Sequence, residues 1–147
     1  MATKPVEKGV ITSGYGNRVL NGNKEFHPGI DIGVVGNPLD TPVVFAKDGK
    51  IAWMDTTHPV YDKKTGRGSF GNVVYVRMAD DYVSIYPHLK SVDASLFVGK
   101  EVKEGEIVGI MGNTGISIGV HLHYEERVGL SPGGSREPKD IIALYEQ

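Results

Sequence analysis

Short apolar stretches that alternate with polar residues and end at glycine or proline dominate this sequence, whereas helical periodicity is scarce. The clearest stretch, Asn-Val-Val-Tyr-Val-Arg-Met at 72–78, is rich in the β-branched and aromatic residues that suit a pleated surface. Turn dipeptides such as Asp48-Gly49 and Glu104-Gly105 separate the stretches. Strands are therefore predicted at residues 10–13, 43–46, 50–54, 72–78, 82–86, 102 with 107–111, and 121–127.

Helices are predicted at only two places. A short one is expected at 92–97 and a better one at 139–145, where the preceding Pro138 suits a helix start. Further turns are predicted at Gly112-Asn113 and at 132–134. The pattern favours a mainly β fold of antiparallel sheets, either a sandwich or a folded-over sheet. With 147 residues and no linker or repeat, the chain is expected to form a single domain spanning 1–147.

One segment, residues 55–71, resembles an insertion between two strands. It is polar, rich in turn residues and longer than a usual hairpin loop. Such loops often form the lips of functional sites, but an exposed loop without a role explains the composition equally well. His58 within it is interpreted as an exposed loop residue.

Composition narrows the chemistry that the chain can perform. It has no cysteine, which excludes disulfides, thiolate zinc sites, iron–sulfur clusters and a cysteine nucleophile, and leaves five histidines. A net charge of −2 argues against nucleic acid as a partner. No apolar run would insert into a membrane, and the polar start does not resemble a signal peptide. The protein is thus expected to stay inside the cell or to leave by another route, as phage lysis and virion proteins do.

Two glycine motifs match known functional patterns, but the secondary structure predicted around them is not the one that those functions require. Residues 66–71 fit the dinucleotide-binding glycine pattern, but a predicted strand follows where that site requires a helix. Residues 115–119 fit the nucleophile elbow of serine hydrolases, but again a strand follows. We therefore interpret Ser117 as a turn residue.

Four histidines and one aspartate form a more informative pattern. Because Pro28 and Gly29 prevent a regular helix, His27 and Asp31 are expected in an extended segment, where residues i and i+4 share a face. His121 and His123 share a face in the same way, and His88 ends another predicted strand. Two imidazoles and one carboxylate are a catalytic zinc set with a position left for water. The remaining histidines would transfer protons or stabilise an oxyanion.

The ordered motifs resemble the lysostaphin-type, or LytM-like, zinc endopeptidases of bacterial cell walls. The resemblance begins at 11–18, includes 41–43 and 48–51, and closes at 137–140. Its most specific parts are His-Pro-Gly-Ile-Asp-Ile at 27–32, Tyr-Pro-His-Leu at 86–89, and Gly-Asn-Thr-Gly at 112–115 leading to His-Leu-His-Tyr-Glu at 121–125.

The resemblance implies a fold of antiparallel sheets with an open groove, built from a duplicated hybrid motif. It also implies one Zn²⁺ per chain and cleavage of peptide bonds in peptidoglycan stems or cross-bridges. The implied metal ligands are His27, Asp31 and His123, and the implied catalytic residues are His88 and His121. The implied substrate contacts are Tyr86, Asn17 and Arg18, although strand packing explains Tyr86 equally well.

Two departures from the family pattern are mild, whereas Pro87 and the 55–71 segment are more individual and are expected to reshape one wall of the groove. Val120 replaces the usual proline before His-x-His, and Tyr124 replaces the commoner phenylalanine. Two alternatives remain open: a catalytically silent wall-binding or amidase-activating relative, and a glucose-type histidine phosphocarrier, which would bind no stoichiometric zinc. The expected location is the bacterial cell wall, reached as a phage lysin or virion-associated protein or as part of a larger secreted protein. We assume a monomer.

Overall fold

A computed structural model describes residues 1–117, 119–129 and 134–147, whose regular secondary structure is β-strand except for one short helix. The predicted turn at 132–134 lies outside the described residues except for Gly134, and so does Ile118 of the elbow-like motif. The elements are β1 (Val10–Ser13), β2 (Gly16–Leu20), β3 (Asn23–His27), β4 (Ile30–Gly33), β5 (Pro42–Val44), β6 (Gly49–Asp55), β7 (Asn72–Met78), β8 (Tyr82–Leu89), β9 (Ser91–Val92), β10 (Glu101–Val102), β11 (Ile107–Ile110), β12 (Leu122–Val128), β13 (Ser135–Arg136) and α1 (Lys139–Tyr145).

An antiparallel main sheet carries the site. Its strands lie in the order β1-β4-β12-β8-β7-β6-β10, with β13 paired to β12. A smaller sheet has the order β5-β11-β9, and β2 pairs with β3 as a separate hairpin. The mainly β, antiparallel fold predicted from the sequence is therefore confirmed.

The main core covers one face of the main sheet. It joins alternate residues of the sheet strands, such as Val74 and Leu122, to Val43 and Val108 of the smaller sheet and Ile141 of α1. Burying these side chains removes apolar surface from water and fixes which residues of each strand point inward. The intervening residues therefore point to the opposite face.

That opposite face is partly covered as well. Val73, Tyr75, Val83 and Ile85 form a second apolar cluster, against which Phe70 of the 56–71 loop packs. Burial on both faces explains why the sequence of β7 is a nearly continuous apolar run and does not alternate strictly between apolar and polar residues. The loop between β6 and β7 thus folds back onto the sheet.

Strand and helix predictions agree with the structure best where the apolar pattern is strong. The bounds predicted for β1, β7 and α1 match those observed. The helix predicted at 92–97 is wrong, because the segment enters β9 and then turns. Asp93 accepts hydrogen bonds from the backbone N–H and hydroxyl of Ser95, a local arrangement that competes with a helix.

Strands β2 and β3 were not predicted, since their residues are mostly exposed and carry little apolar alternation. Their turn did leave a signal. Asn21 and Gly22 both have positive φ, 53° and 80°, which is the requirement of a two-residue type I′ hairpin turn. An Asn-Gly dipeptide is the strongest short-range sign of such a hairpin, so the β2–β3 hairpin could have been predicted from the sequence.

Candidate active site

The first two site residues lie at the tight connection between β3 and β4. His27 is the last residue of β3, and Asp31 follows in β4 after Pro28 and Gly29. A Cβ at Gly29 would overlap the backbone oxygen of Tyr124, so the close approach of this turn to β12 requires glycine. The turn therefore brings His27 and Asp31 against β12.

Strand β12 supplies the next two histidines. It pairs with β4 so that His123 lies directly opposite Asp31, and a bridge to Gly112 holds His121 just before the strand. Directly opposed residues in an antiparallel pair have neighbouring side chains. The register of two strands distant in sequence thus places His123 beside the aspartate.

His88 reaches the site by breaking the alternation of β8. Tyr86 and Leu89 both point into the main core, and His88 has a positive φ of 60°. The pairing with β7 shifts between Asn72 and Val74 at this point. This irregularity turns His88 to the face opposite Tyr86, although a regular strand would place both residues on one face.

Each of the four histidines has one ring nitrogen held by an acceptor of the protein. Nδ1 lies 2.7 Å from the Gly14 oxygen in His27, 2.7 Å from the Thr114 oxygen in His88 and 2.8 Å from the Gly119 oxygen in His121. In His123 it is Nε2 that lies 2.7 Å from Glu125 Oε2. Carbonyl and carboxylate oxygens only accept, so these nitrogens carry hydrogens, and the neutral tautomer leaves a lone pair on the other nitrogen.

The free ring nitrogens of His27 and His123 converge with the Asp31 carboxylate on one point. His123 Nδ1 lies 2.8 Å from Asp31 Oδ1 and 3.3 Å from His27 Nε2, and His27 Nε2 lies 3.4 Å from Asp31 Oδ2. All three ligand atoms fall within 4.8 Å of one another. Two imidazole nitrogens and a carboxylate oxygen at this spacing fit a divalent metal ion with a position left open.

Charge at the centre favours a cation. Burial opposes ionisation of Asp31, but hydrogen bonds from His121, His123 and His27 hold its pKa well below the usual range. Burial also disfavours the charged form of His123, yet hydrogen bonds to Asp31 and Glu125 raise its pKa to about 9. The surroundings that favour a proton on this ring also favour a metal cation.

The other two histidines flank the centre with different electrostatics. Burial lowers the pKa of His88 to about 4, so that this ring is neutral at neutral pH. The hydrogen bond with Asp31 raises the pKa of His121, whose Nε2 lies 3.5 Å from Asp31 Oδ1. The ring centroids of His88 and His121 are 6.2 Å apart. One neutral and one more basic imidazole therefore flank the same cleft.

A buried carboxylate that the sequence analysis missed supports the third ligand. Glu125 accepts a hydrogen bond from His123 through Oε2 and, at 2.6 Å, one from Arg127 Nε through Oε1. The signal was present in the sequence, since residues 121, 123, 125 and 127 alternate along one face of β12. Carboxylates behind ligating histidines orient the ring and raise its basicity.

A cleft of about 380 Å³, here called the active-site groove, opens over these histidines. Its walls come from the β2–β3 hairpin, the 56–71 loop and the segment before β12, and include Arg18, Ser69, Phe70, Ile116 and Ser117. Arg18 donates to Glu25 and Ser13, and its Nη1 lies 3.9 Å from Asp31 Oδ2. Arg18 thus lies where a substrate contact was expected.

The other two expected substrate contacts differ from Arg18. Tyr86 is 0% exposed, packs between Phe45 and Tyr124, and accepts a hydrogen bond from Ala46 N–H at 2.9 Å. A side chain without exposed surface cannot contact a substrate, so strand packing is the correct interpretation of Tyr86. Asn17 is exposed beside Arg18 on β2, and its substrate contact stays a prediction.

The 56–71 loop forms part of the groove wall. Ile116 N–H donates to Ser69 O and Gly115 N–H to Pro59 O, which ties the loop to the segment before β12. Phe70 meets the His88 ring edge to face at 5.8 Å. Outside the groove, His58 is only partly exposed and its Nδ1 lies 2.8 Å from Asp55 Oδ2.

Neither of the two glycine motifs has the structure that its pattern requires. Strand β7 follows residues 66–71 where a dinucleotide site needs a helix. The Ser117 hydroxyl donates to Gly119 O, and β12 comes next in the chain. Ser117 is therefore a turn residue, as predicted.

Comparisons with known proteins agree with this geometry. The sequence pattern of Peptidase family M23 matches residues 25–135. The DD-carboxypeptidase/endopeptidase Mpg of Neisseria meningitidis serogroup B is 33% identical over 83% of this chain and 25% of its own length. The chain thus spans about a quarter of that curated relative.

Two solved catalytic domains have the same fold over most of their length. That of the prophage-encoded M23 protein EnpA from Enterococcus faecalis is 32% identical with a TM-score of 0.71, covering 90% of this chain and 91% of that one. That of lysostaphin from Staphylococcus simulans is 29% identical with a TM-score of 0.68, covering 88% and 89%. The lysostaphin-type resemblance is confirmed, and the chain belongs to Peptidase family M23.

Proposed function

We propose that this protein is a zinc-dependent endopeptidase that hydrolyses peptide bonds in the stem peptides or cross-bridges of bacterial peptidoglycan. The observation that carries the proposal is the convergence of His27, Asp31 and His123, with two further imidazoles on the same cleft. Family membership supports the reaction class, and relatives such as the peptidoglycan DD-endopeptidase ShyC of Vibrio cholerae, 32% identical to this chain, support the substrate.

Zinc is the metal that this donor set fits best. Two imidazole nitrogens and one carboxylate oxygen match catalytic zinc sites, whereas magnesium and calcium prefer all-oxygen sites. We infer one ion per chain. When bound, zinc supplies a Lewis acid for the scissile carbonyl and water activated near neutral pH.

The protein's own residues then divide the remaining work. His88 is neutral, and its Nδ1 is held by Thr114, so its Nε2 can accept a proton from water or donate one to the leaving amine. His121, more basic beside Asp31, can donate a hydrogen bond from Nε2 to the developing oxyanion. Asp31 and Glu125 hold the rings in place, and Phe70 excludes water from one side of His88.

The substrate would lie as an extended peptide in the active-site groove, with Arg18 and Asn17 as candidate contacts. We infer that residues 1–147 form one catalytic domain that acts at the bacterial cell wall. In the described part of the chain, no helix is long and apolar enough to span a membrane. A wall-degrading, bacteriolytic role as a phage lysin agrees with the likeness to a prophage-encoded relative.

Neither alternative explains the site as well. A phosphocarrier needs two histidines but has no use for Asp31 between His27 and His123, and the family match does not favour it. A silent relative would be expected to lack part of the catalytic set, whereas all three candidate ligands and both flanking histidines are present.

Digestion of purified peptidoglycan tests the proposal directly. Protein loaded with zinc is expected to release fragments with new amino termini, identified by mass spectrometry. Treatment with a chelator should abolish release, and added zinc should restore it. Cleavage by the chelated protein, or no new amino termini with the zinc-loaded protein, would contradict the proposal. Phe97→Ala, which removes an exposed ring outside the groove, serves as a control that should cleave normally.

A further inference from the structure

A second cavity lies behind the active-site groove, between the 56–71 loop and strands β6 and β7. Its volume is about 390 Å³, within the ~300–1,000 Å³ that small-ligand pockets usually occupy. We call it the loop cavity and define it by Trp53, Asp55 and Tyr75 from the strands and His58, Arg67 and Phe70 from the loop. The glycine motif at 66–71 forms one side of it.

Aromatic rings form the floor and one side of the loop cavity. Trp53 and Tyr75 meet edge to face at 5.2 Å, and Phe70 lies 6.4 Å from Tyr75. Trp53 remains 44% exposed, a large apolar surface for a residue inside a concavity. The exposed ring of Trp53 is suited to a ligand with a flat C–H surface.

Polar groups next to the rings carry little net charge. Asp55 is paired with His58 at 2.8 Å and also accepts from Thr57, so the carboxylate is largely satisfied by the loop itself. The pair holds His58 by Nδ1 and leaves Nε2 for a ligand. With Arg67 as the other charged group in the lining, the cavity suits a neutral ligand rich in hydroxyl or amide groups.

The loop cavity borders the active-site groove. Ser69 and Phe70 line both spaces. Successive ring centroids from His88 through Phe70 and Tyr75 to Trp53 are 5.8, 6.4 and 5.2 Å apart. An extended peptide advances ~3.3–3.6 Å per residue, so a group attached a few residues from the cleaved bond reaches the cavity.

We propose that the loop cavity binds an N-acetylated sugar of the glycan strand whose peptide occupies the active-site groove. The inference rests on the proposed peptidoglycan substrate, which joins such sugars covalently to peptides. A pyranose ring presents a C–H face to Trp53, which packs against Tyr75, and its hydroxyl and acetamido groups face His58 and the loop backbone. The 56–71 loop thereby has a binding role in addition to forming a groove wall.

Tryptophan fluorescence tests sugar binding without any peptide or cleavage. Trp53 is the one tryptophan of the chain, so its emission reports on this cavity alone. Titration with N-acetylglucosamine oligosaccharides is expected to change the emission saturably. Isothermal titration of Trp53→Ala should show an affinity at least about tenfold weaker, while Phe97→Ala, which removes a 60% exposed ring elsewhere, should bind normally.

A second variant distinguishes a loss of sugar binding from a loss of folding. Trp53→Phe keeps a ring against Tyr75 and is expected to retain part of the affinity, and thermal unfolding of all variants checks their fold. No saturable response of the folded wild-type protein to sugar would overturn the proposal. A response to sugar-free stem peptide in place of sugar would also overturn it, because the cavity would then be a peptide subsite.

Kinetics separate this inference from the proposed function. Cross-linked peptides that still carry their sugars should have a lower KM than the same peptides after the sugars are removed, and Trp53→Ala should bring the two KM values together. Equal KM values in the wild-type protein would count against the cavity while leaving the endopeptidase intact. Sugar binding without any cleavage would instead contradict the endopeptidase and leave the sugar site supported.

Discussion

Two adjacent glutamates on β12 have the same burial but opposite roles. Glu125 is 1% exposed and Glu126 is 0% exposed, and they point to opposite faces of the main sheet. Glu125 is held between His123 and Arg127, with Arg127 lying 5.4 Å from the Phe70 ring at the groove. The partners of Glu125 are therefore a ligand of the candidate metal centre and a side chain at the wall of the groove.

Glu126 faces the other way and binds structural partners. It accepts from the Tyr124 hydroxyl at 2.6 Å and Arg136 Nε at 2.8 Å, and lies 3.2 Å from Lys47 Nζ. Lys47 in turn pairs with Asp140 of α1 at 2.6 Å. This network ties β12 to β13 and to the C-terminal helix.

The comparison shows that burial alone does not identify a functional carboxylate. Both groups would be costly to bury without partners, and both are fully partnered. What differs is whether a partner has a second nitrogen directed at a reactive centre. His123 does, whereas Tyr124, Lys47 and Arg136 do not.

Removing the ring that Glu125 holds should have the largest effect. His123→Ala deletes a ligand and is expected to reduce zinc binding and peptidoglycan cleavage to background, since two ligands remain of three. Metal content by atomic emission and the digestion assay measure both losses. Stoichiometric zinc in this variant would show that His123 is not a ligand.

Breaking the structural network should mainly affect stability. Glu126→Ala removes the acceptor of the buried Tyr124 hydroxyl, and we expect the free energy of unfolding to fall by about 1.5–3 kcal/mol. The loss stays in this range because Lys47 and Arg136 keep other carboxylate partners. Urea denaturation measures it, with the exposed Glu101→Ala as a matched control. Zinc affinity of the folded fraction should be unchanged, and a weakened affinity would mean that the two faces are coupled.

A conservative change of Glu125 should instead weaken zinc binding more than it lowers stability. Glu125→Gln keeps the volume, but an amide has one acceptor oxygen for two donors, His123 and Arg127. Zinc affinity, measured by competition with a chromogenic chelator, is expected to weaken about 10–100-fold. An unchanged affinity with lowered stability would place Glu125 in the same structural class as Glu126.

The smallest effect should come from trimming one bond of the structural network. Tyr124→Phe removes the hydroxyl that donates to Glu126, and hydrogen bonds to charged groups contribute about 1.5–3 kcal/mol. We expect a loss at the low end, because Lys47 and Arg136 still partner the carboxylate. Thermal and urea unfolding measure it, and cleavage should persist at the wild-type rate.

Much of the fold and the site could be predicted, but not uniformly. β7 and α1 were predicted with their observed bounds because their patterns are strong and local. The β2–β3 hairpin was overlooked, although Asn21-Gly22 marks its turn. The helix at 92–97 was wrongly predicted, since its apolar spacing is outweighed by the turn that Asp93 stabilises.

The histidines and the aspartate that the structure brings together were named from spacing and resemblance. The opposite orientations of Tyr86 and His88, and the contacts of Glu125, were not predicted. Alternation along β8 predicts that Tyr86 and His88 share a face, and the left-handed backbone at His88 separates them. Glu125 was overlooked because alternation places it on the same face as His121 and His123 without showing what its carboxylate contacts. Its role depends on Arg127 and on burial, which only packing reveals.

By itself, the sequence determined the mainly β class, the absence of cysteine chemistry, and the shared face of His121 and His123, because composition and side-chain alternation are local properties. Only the tertiary structure decided which strands meet. Asp31 and His123 are 92 residues apart and become neighbours through the register of β4 and β12. The folding of the 56–71 loop onto the sheet is likewise a matter of packing between distant segments, which no local pattern encodes.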